Sequence, residues 1–213
     1  MGPQGHLLAN GPLYRLPENL KLTPRTHLLD IGCGRGTPMR ALDEQVGFEQ
    51  PPAGLDLSPK MLALAQGDQQ RDRAPRDLVW GPVTELPFAD NSFTLATAGY
   101  VVMHLGTPEL DCFFREVYRV LVPRGLPLIW EFGPTGNPRL DTWNAKVVTP
   151  AGERVRLRST RTLRALSSRE TPSCGRFCSR PSQGHLCRSE SRPKAAILQR
   201  KAPIHRSQPE PPE

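Results

Sequence analysis

Five residues between positions 30 and 56 have the types and spacing to do chemistry. Asp30 stands two residues before a glycine cluster, Gly32-Cys33-Gly34-Arg35-Gly36, and Asp56 closes the apolar run Ala53-Gly54-Leu55. Glycines at alternate positions let a backbone approach a ligand closely, and the helix that follows presents unsatisfied N–H groups toward the same place. Such a loop can serve a dinucleotide or another adenosine-containing cofactor. A dinucleotide fingerprint reads G-x-G-x-x-G, whereas this chain reads G-x-G-x-G and has Thr37 where the third glycine of that fingerprint is required. Asp30 would oppose a pyrophosphate but could face the ammonium group of an amino-acid cofactor. Both features favour S-adenosyl-L-methionine. Asp56 can accept hydrogen bonds from two ribose hydroxyls and is needed under either reading; it can also serve the N-terminus of the next helix.

The elements that must position these residues are readable. His27–Ile31 is a short apolar strand ending at the glycines, and further strands are expected at 53–57, 78–81, 93–98 and 126–132, the last after a Pro123-Arg124-Gly125 turn. Thr37-Pro38, Ser58-Pro59 and Thr107-Pro108 each open a helix, with the hydroxyl residue as N-cap and proline where its missing N–H costs nothing. Strands alternating with helices imply an α/β fold: a doubly wound, Rossmann-like, mostly parallel sheet with helices on both faces. In such a sheet the ligand lies outside the carboxyl ends of the strands, where the glycine loop is.

Leu28–Gly36 resembles the first motif of class I S-adenosylmethionine-dependent methyltransferases. Leu86-Pro87-Phe88-Ala89-Asp90-Asn91-Ser92-Phe93 and Phe114-Arg115-Glu116-Val117-Tyr118-Arg119-Val120-Leu121 resemble downstream signatures of the small-molecule branch called type 11, which includes ubiquinone/menaquinone-biosynthesis-like enzymes. The resemblance spans about Leu16 to Glu131, and the order of three motifs carries its specificity. It implies methyl transfer from S-adenosylmethionine to O, N or C of a small molecule. It also implies that Asp30, Gly32 and Gly34 surround the methionine part of the cofactor, Asp56 holds the ribose, Leu57 flanks the adenine and Val83 contacts its edge. Three positions depart from the family: Pro82 follows Gly81 where an acid is common, Thr94 replaces an Asp, and Arg124 occupies a turn that commonly reads Pro-Gly-Gly.

Tyr100, His104 and Trp143 are the substrate-pocket candidates, and no catalytic residue is assigned. Imidazole titrates near neutrality and could act as a base, but packing and hydrogen bonding are the favoured role for His104. The sulfonium is an activated donor, so positioning can suffice. Cys33 is read as a small buried side chain rather than a nucleophile.

The chain of 213 residues has a net charge of +7, which invites a nucleic-acid reading until the charge is located. Residues 1–150 carry 14 basic and 16 acidic side chains, and residues 151–213 carry 14 and 5. The body offers no basic stripe with interleaved aromatics, so no specific nucleic-acid partner is expected. No apolar stretch approaches the ~18 residues of a membrane span, and no secretory or myristoylation pattern opens the sequence. The expectation is a cytoplasmic monomer without a membrane partner.

Residues 1–167 are read as the cofactor-binding domain and 168–213 as a disordered basic tail, because seven prolines, nine basic residues and few large apolar ones cannot offset the entropy of ordering. Cys174, Cys178, His185 and Cys187 lack the paired spacing and intervening structure of a zinc site, so no metal is expected. A family member closes its sheet with an antiparallel hairpin. Here only 195–200 resembles its final strand, so the C-terminal strands are expected to be incomplete. A second function class follows: a catalytically silent S-adenosylmethionine-binding module with an altered C-terminus.

Overall fold

The computed structural model describes residues 20–72, 75–133, 138 and 196–201. In chain order the elements are β1 (Leu28–Ile31), α1 (Thr37–Val46), β2 (Ala53–Asp56), α2 (Pro59–Asp72), β3 (Asp77–Trp80), β4 (Phe93–Gly99), a 3-10 turn (Val102–His104), α3 (Thr107–Val120), β5 (Leu121–Gly133) and β6 (Ala196–Lys201). Six strands form one sheet in the order β3-β2-β1-β4-β5-β6, and every neighbouring pair is parallel. Strand order reverses direction between β1 and β4, which opens a crevice at their carboxyl ends. Asp30 lies there, in register with Thr97 of β4 on one side and Gly54 of β2 on the other.

The two-residue period of the strands divides the core between two faces. Leu29, Ile31, Ala96 and Ala98 join Leu110, Phe113, Phe114, Val117 and Val120 of α3 in one cluster, while Leu28, Leu95, Leu128 and Trp130 join Met39 and Leu42 of α1 in the other. The doubly wound α/β arrangement is thus present. α2 covers less than its apolar residues suggest: Ala65 is buried, but Met61 and Leu64 are each 41% exposed.

Helix starts differ in detail from the sequence reading. Ser58 caps α2 as expected, its Oγ accepting from Met61 N at 3.3 Å. α1 instead takes Gly36 as its cap, in the left-handed region at φ 74°, and Thr37 is already helical. α3 starts after Gly106, whose N–H donates to the Glu109 carboxylate at 2.5 Å. At α1 the left-handed φ of Gly36 favours glycine, whereas Gly106 is extended at φ −69°, a conformation any residue adopts.

β5 begins immediately after α3, so the Pro123-Arg124-Gly125 turn lies inside the strand as a register irregularity between Phe93 and Leu95 of β4, with Arg124 at φ 68°. Ala196–Lys201 pairs with Leu128–Gly133 as the sheet edge. The sequence reading gave 195–200 as the one stretch resembling the family's final strand; 196–201 lies in the sheet, parallel to β5 rather than in an antiparallel hairpin. The remaining positions of 168–213, and the boundary set at 167, lie outside the described residues.

Candidate cofactor site

β1 delivers Asp30 to the crevice on the α1 side of the sheet, buried to 2% exposure. The Thr97 hydroxyl donates to its Oδ1 at 2.7 Å, and its buried Oδ2 has no protein partner among the described residues. Burial pushes the carboxyl up to about 7, opposed by the Thr97 hydrogen bond and reinforced by the negative charge of Asp56. A buried acid with one satisfied oxygen and one open oxygen is suited to receive a cation.

The glycine loop is tied down by β2. Gly32 N–H and Cys33 N–H both donate to the Leu55 carbonyl, at 2.7 and 3.0 Å. Asp56 then bridges the loop to α2: its Oδ2 accepts from Gly34 N at 2.7 Å and its Oδ1 from Ser58 N at 2.8 Å. The sequence reading offered ribose binding and helix capping for this acid. The structure shows it bonded to the start of α2 and, in addition, to the loop.

The glycines have different reasons to be glycine. Gly32 adopts φ 70°, and a Cβ there would lie 2.3 Å from Val101 Cγ2. Gly34 adopts φ 55°, and no atom of the described residues lies within 4 Å of a Cβ placed there, which leaves room on their side for a ligand. Cys33 is buried, and its thiol is pushed above the usual range by burial first and then by Asp30 and Asp56. It packs with Met39 and Leu42 and is not poised as a thiolate.

Leu57 is 61% exposed beside Trp80, whose Nε1 donates to the Leu57 carbonyl at 3.0 Å. These exposed apolar surfaces lie at the carboxyl ends of β2 and β3, where a flat heterocycle can be covered. Val83 is half-buried and packs against the α3-side core.

Of the substrate-pocket candidates, Tyr100 follows β4 at φ 59° with its N–H donating to the Trp130 carbonyl at 2.9 Å, and His104 ends the 3-10 turn with an exposed side chain. Trp143 lies outside the described residues, as do the cysteines of 174–187. The structure adds Glu131, absent from the sequence reading. Buried to 2% exposure near the end of β5, it accepts from Val102 N at 2.9 Å and so ties the turn carrying His104 to the sheet. An acid inside the apolar run Leu126–Phe132 was its only signal. Thr97 was likewise missed, since a threonine in a strand is ordinary.

The residues present fit S-adenosylmethionine by their chemistry: an open acid oxygen for a cation, a second carboxylate at the end of β2, and a loop glycine with room at its Cβ. Comparison with known proteins points the same way, since a family model described as a methyltransferase domain, type 11, matches residues 29–129. Residues 29–129 are similar to a type 11 methyltransferase domain.

The domain is 34% identical over 131 residues to demethylmenaquinone methyltransferase of Lactobacillus johnsonii, covering 61% of this chain and 53% of that one. It is 32% identical over 142 residues to 2-phytyl-1,4-naphtoquinone methyltransferase of Synechocystis, covering 64% and 59%. The chain therefore spans little more than half the length of these curated relatives. Among solved structures, YcgJ of Bacillus subtilis is similar with a TM-score of 0.61 and 26% identity over 72% of this chain and 64% of that one. An S-adenosylmethionine-dependent methyltransferase of Methanosarcina mazei shares the fold, with a TM-score of 0.55, 22% identity, and coverage of 62% and 64%. No helix of the described residues is long and apolar enough to cross a membrane.

Proposed function

We propose that this methyltransferase domain transfers a methyl group from S-adenosylmethionine to a small aromatic acceptor of the quinone-precursor type. The observation that carries the cofactor is Asp30: a buried carboxyl whose Oδ2 meets no donor among the described residues, beside a loop where none of them would crowd a Cβ at Gly34. The names of the two quinone methyltransferases support the acceptor class. The cofactor, when bound, supplies a methyl group on a sulfonium that needs no further activation.

The chain's own residues hold and orient it. Asp30, Gly32 and Gly34 border the amino-acid moiety, with Asp30 taking the ammonium. Asp56 offers its carboxylate to the ribose while anchoring the loop through Gly34 N, Leu57 covers the adenine, and the backbone near Val83 reaches its edge. Tyr100, His104 and Trp143 are assigned to the acceptor side, with Glu131 fixing the turn that presents His104. Catalysis then rests on alignment of acceptor and methyl group rather than on a dedicated acid or base. The protein acts in the cytoplasm as a monomer, without a membrane or nucleic-acid partner.

Transfer of label from methyl-labelled S-adenosylmethionine to a demethylated naphthoquinol, and to a metabolite extract, tests this. Labelled product that disappears in Asp56→Ala supports the reading. Cofactor binding without transfer to any acceptor would make the chain a silent binding module, the second function class raised by its atypical C-terminus.

A further inference from the structure

The glycine loop has little conformational preference of its own, since Gly32, Gly34 and Gly36 adopt left-handed φ values of 70°, 55° and 74° and glycine restricts the backbone least. Backbone ties hold its first half: Gly32 N and Cys33 N on the Leu55 carbonyl, and Gly34 N on Asp56. Between Gly34 and Gly36 stands one long side chain, Arg35, and it turns to α2. Its Nε donates to Asp68 Oδ2 and its Nη2 to Asp68 Oδ1, each at 3.0 Å, so the guanidinium meets the carboxylate fork to fork. Arg71, three residues further along α2, also donates to Asp68 Oδ1 and fixes the acid from its own helix.

α2 is lightly anchored for its length. Ala65 is its one buried side chain among the described residues, and Gly67 weakens the helix interior beside Asp68. Loop and helix therefore hold each other at two places, through Asp56 at the helix start and through Arg35 and Asp68 in its second half. The side chains of Arg35 and Asp68 are 45% and 18% exposed, and an ion pair so placed adds little to global stability. What the loop gains from it is a fixed geometry.

We propose that the Arg35–Asp68 pair is a positioning latch for the methyl donor: it holds the glycine loop in the conformation that receives S-adenosylmethionine, with neither side chain touching the cofactor. This rests on the methyl-donor reading given above. A loop that occupies its competent conformation part of the time binds with an affinity reduced by that fraction, while the complex, once formed, is the same. The latch thus acts on cofactor affinity and leaves the methyl-transfer step alone.

Titration calorimetry of the full chain with S-adenosylmethionine, run as a double-mutant cycle on Arg35→Ala and Asp68→Ala, tests the proposal. Each single variant should bind about three- to tenfold more weakly, and the double variant no more weakly than the weaker single, because both remove one contact. Arg35→Lys, which keeps the charge and loses the fork, should fall between the parent and Arg35→Ala. Melting temperatures of the cofactor-free variants should stay close to the parent's, which a merely structural role would not allow. In turnover, KM for S-adenosylmethionine should rise by the same factor as the dissociation constant, with kcat at the parental value. Parental affinity in either single variant overturns the proposal and leaves the methyl-donor reading standing. So does a double variant whose loss is the product of the two single losses. A parent chain that does not bind S-adenosylmethionine overturns that reading and the latch with it.

Discussion

Asp30 of β1 and Thr97 of β4 stand opposite each other in a parallel register, and the Thr97 hydroxyl donates to Asp30 Oδ1 at 2.7 Å in a buried setting. This contact bridges the two strands on either side of the sheet's switch point. It orients the carboxyl by one oxygen and leaves the other for a ligand, so the acid is aimed without being neutralised.

The pH dependence follows from that arrangement. Asp30 has its carboxyl raised from 3.8 to about 7, so the folded chain binds a proton that the unfolded chain has released. Between those two values the ligand-free protein should lose stability as pH rises, the reverse of a salt-bridged acid. Asp30→Asn, which keeps an acceptor for Thr97, should remove this loss and raise the melting temperature at pH 8 by about 2–4 °C for each kcal/mol recovered. S-adenosylmethionine should bind more tightly as pH rises through 7 in the parent and show no such rise in the variant. Thermal melts and calorimetry from pH 4 to 8 check both.

Asp56 holds two backbone donors, Gly34 N and Ser58 N. Asp56→Ala should cost about 1–3 kcal/mol by freeing them, and should lower cofactor affinity by more than that stability loss explains, because the loop and the ribose acceptor go together. Denaturant titration and calorimetry on the same variant separate the two effects. Gly34→Ala meets no neighbouring atom among the described residues but is held at a left-handed φ of 55°, so it should cost about 1–2 kcal/mol of backbone strain and also weaken cofactor binding.

Gly32→Ala should cost more, because a clash adds to the same backbone strain. Its Cβ would lie 2.3 Å from Val101 Cγ2 at a left-handed φ, so both sterics and backbone strain oppose it. A loss of about 2–4 kcal/mol is expected, with partial recovery in Gly32→Ala/Val101→Ala. A double variant no more stable than the single would show that Val101 is not the obstacle.

Arg124 occupies the left-handed region at φ 68° inside the irregular start of β5. Arg124→Gly should therefore stabilise the chain by up to about 1 kcal/mol, a gain limited by the greater entropy of glycine in the unfolded state. Chemical denaturation at neutral pH measures it.

Sequence alone determined the alternation of strands and helices, the loop with Asp30 at its start and the acid at the end of β2, because each depends on local period, turn chemistry and chain order. The two-sided core followed from the same two-residue period, and the strand ends agreed to within about a residue except at β5. Cap positions were less legible, since Gly36 and Gly106 took over where hydroxyls were available and only the path of the incoming chain decides between them. What required tertiary structure were relations between residues far apart in the chain. Thr97 beside Asp30, Glu131 beneath the 3-10 turn, and β6 on the edge of β5 each join segments separated by about 30 residues or more. Such contacts lie in a low-dielectric space that several elements enclose together, and no local pattern in a sequence encodes the burial that gives a charge its energy.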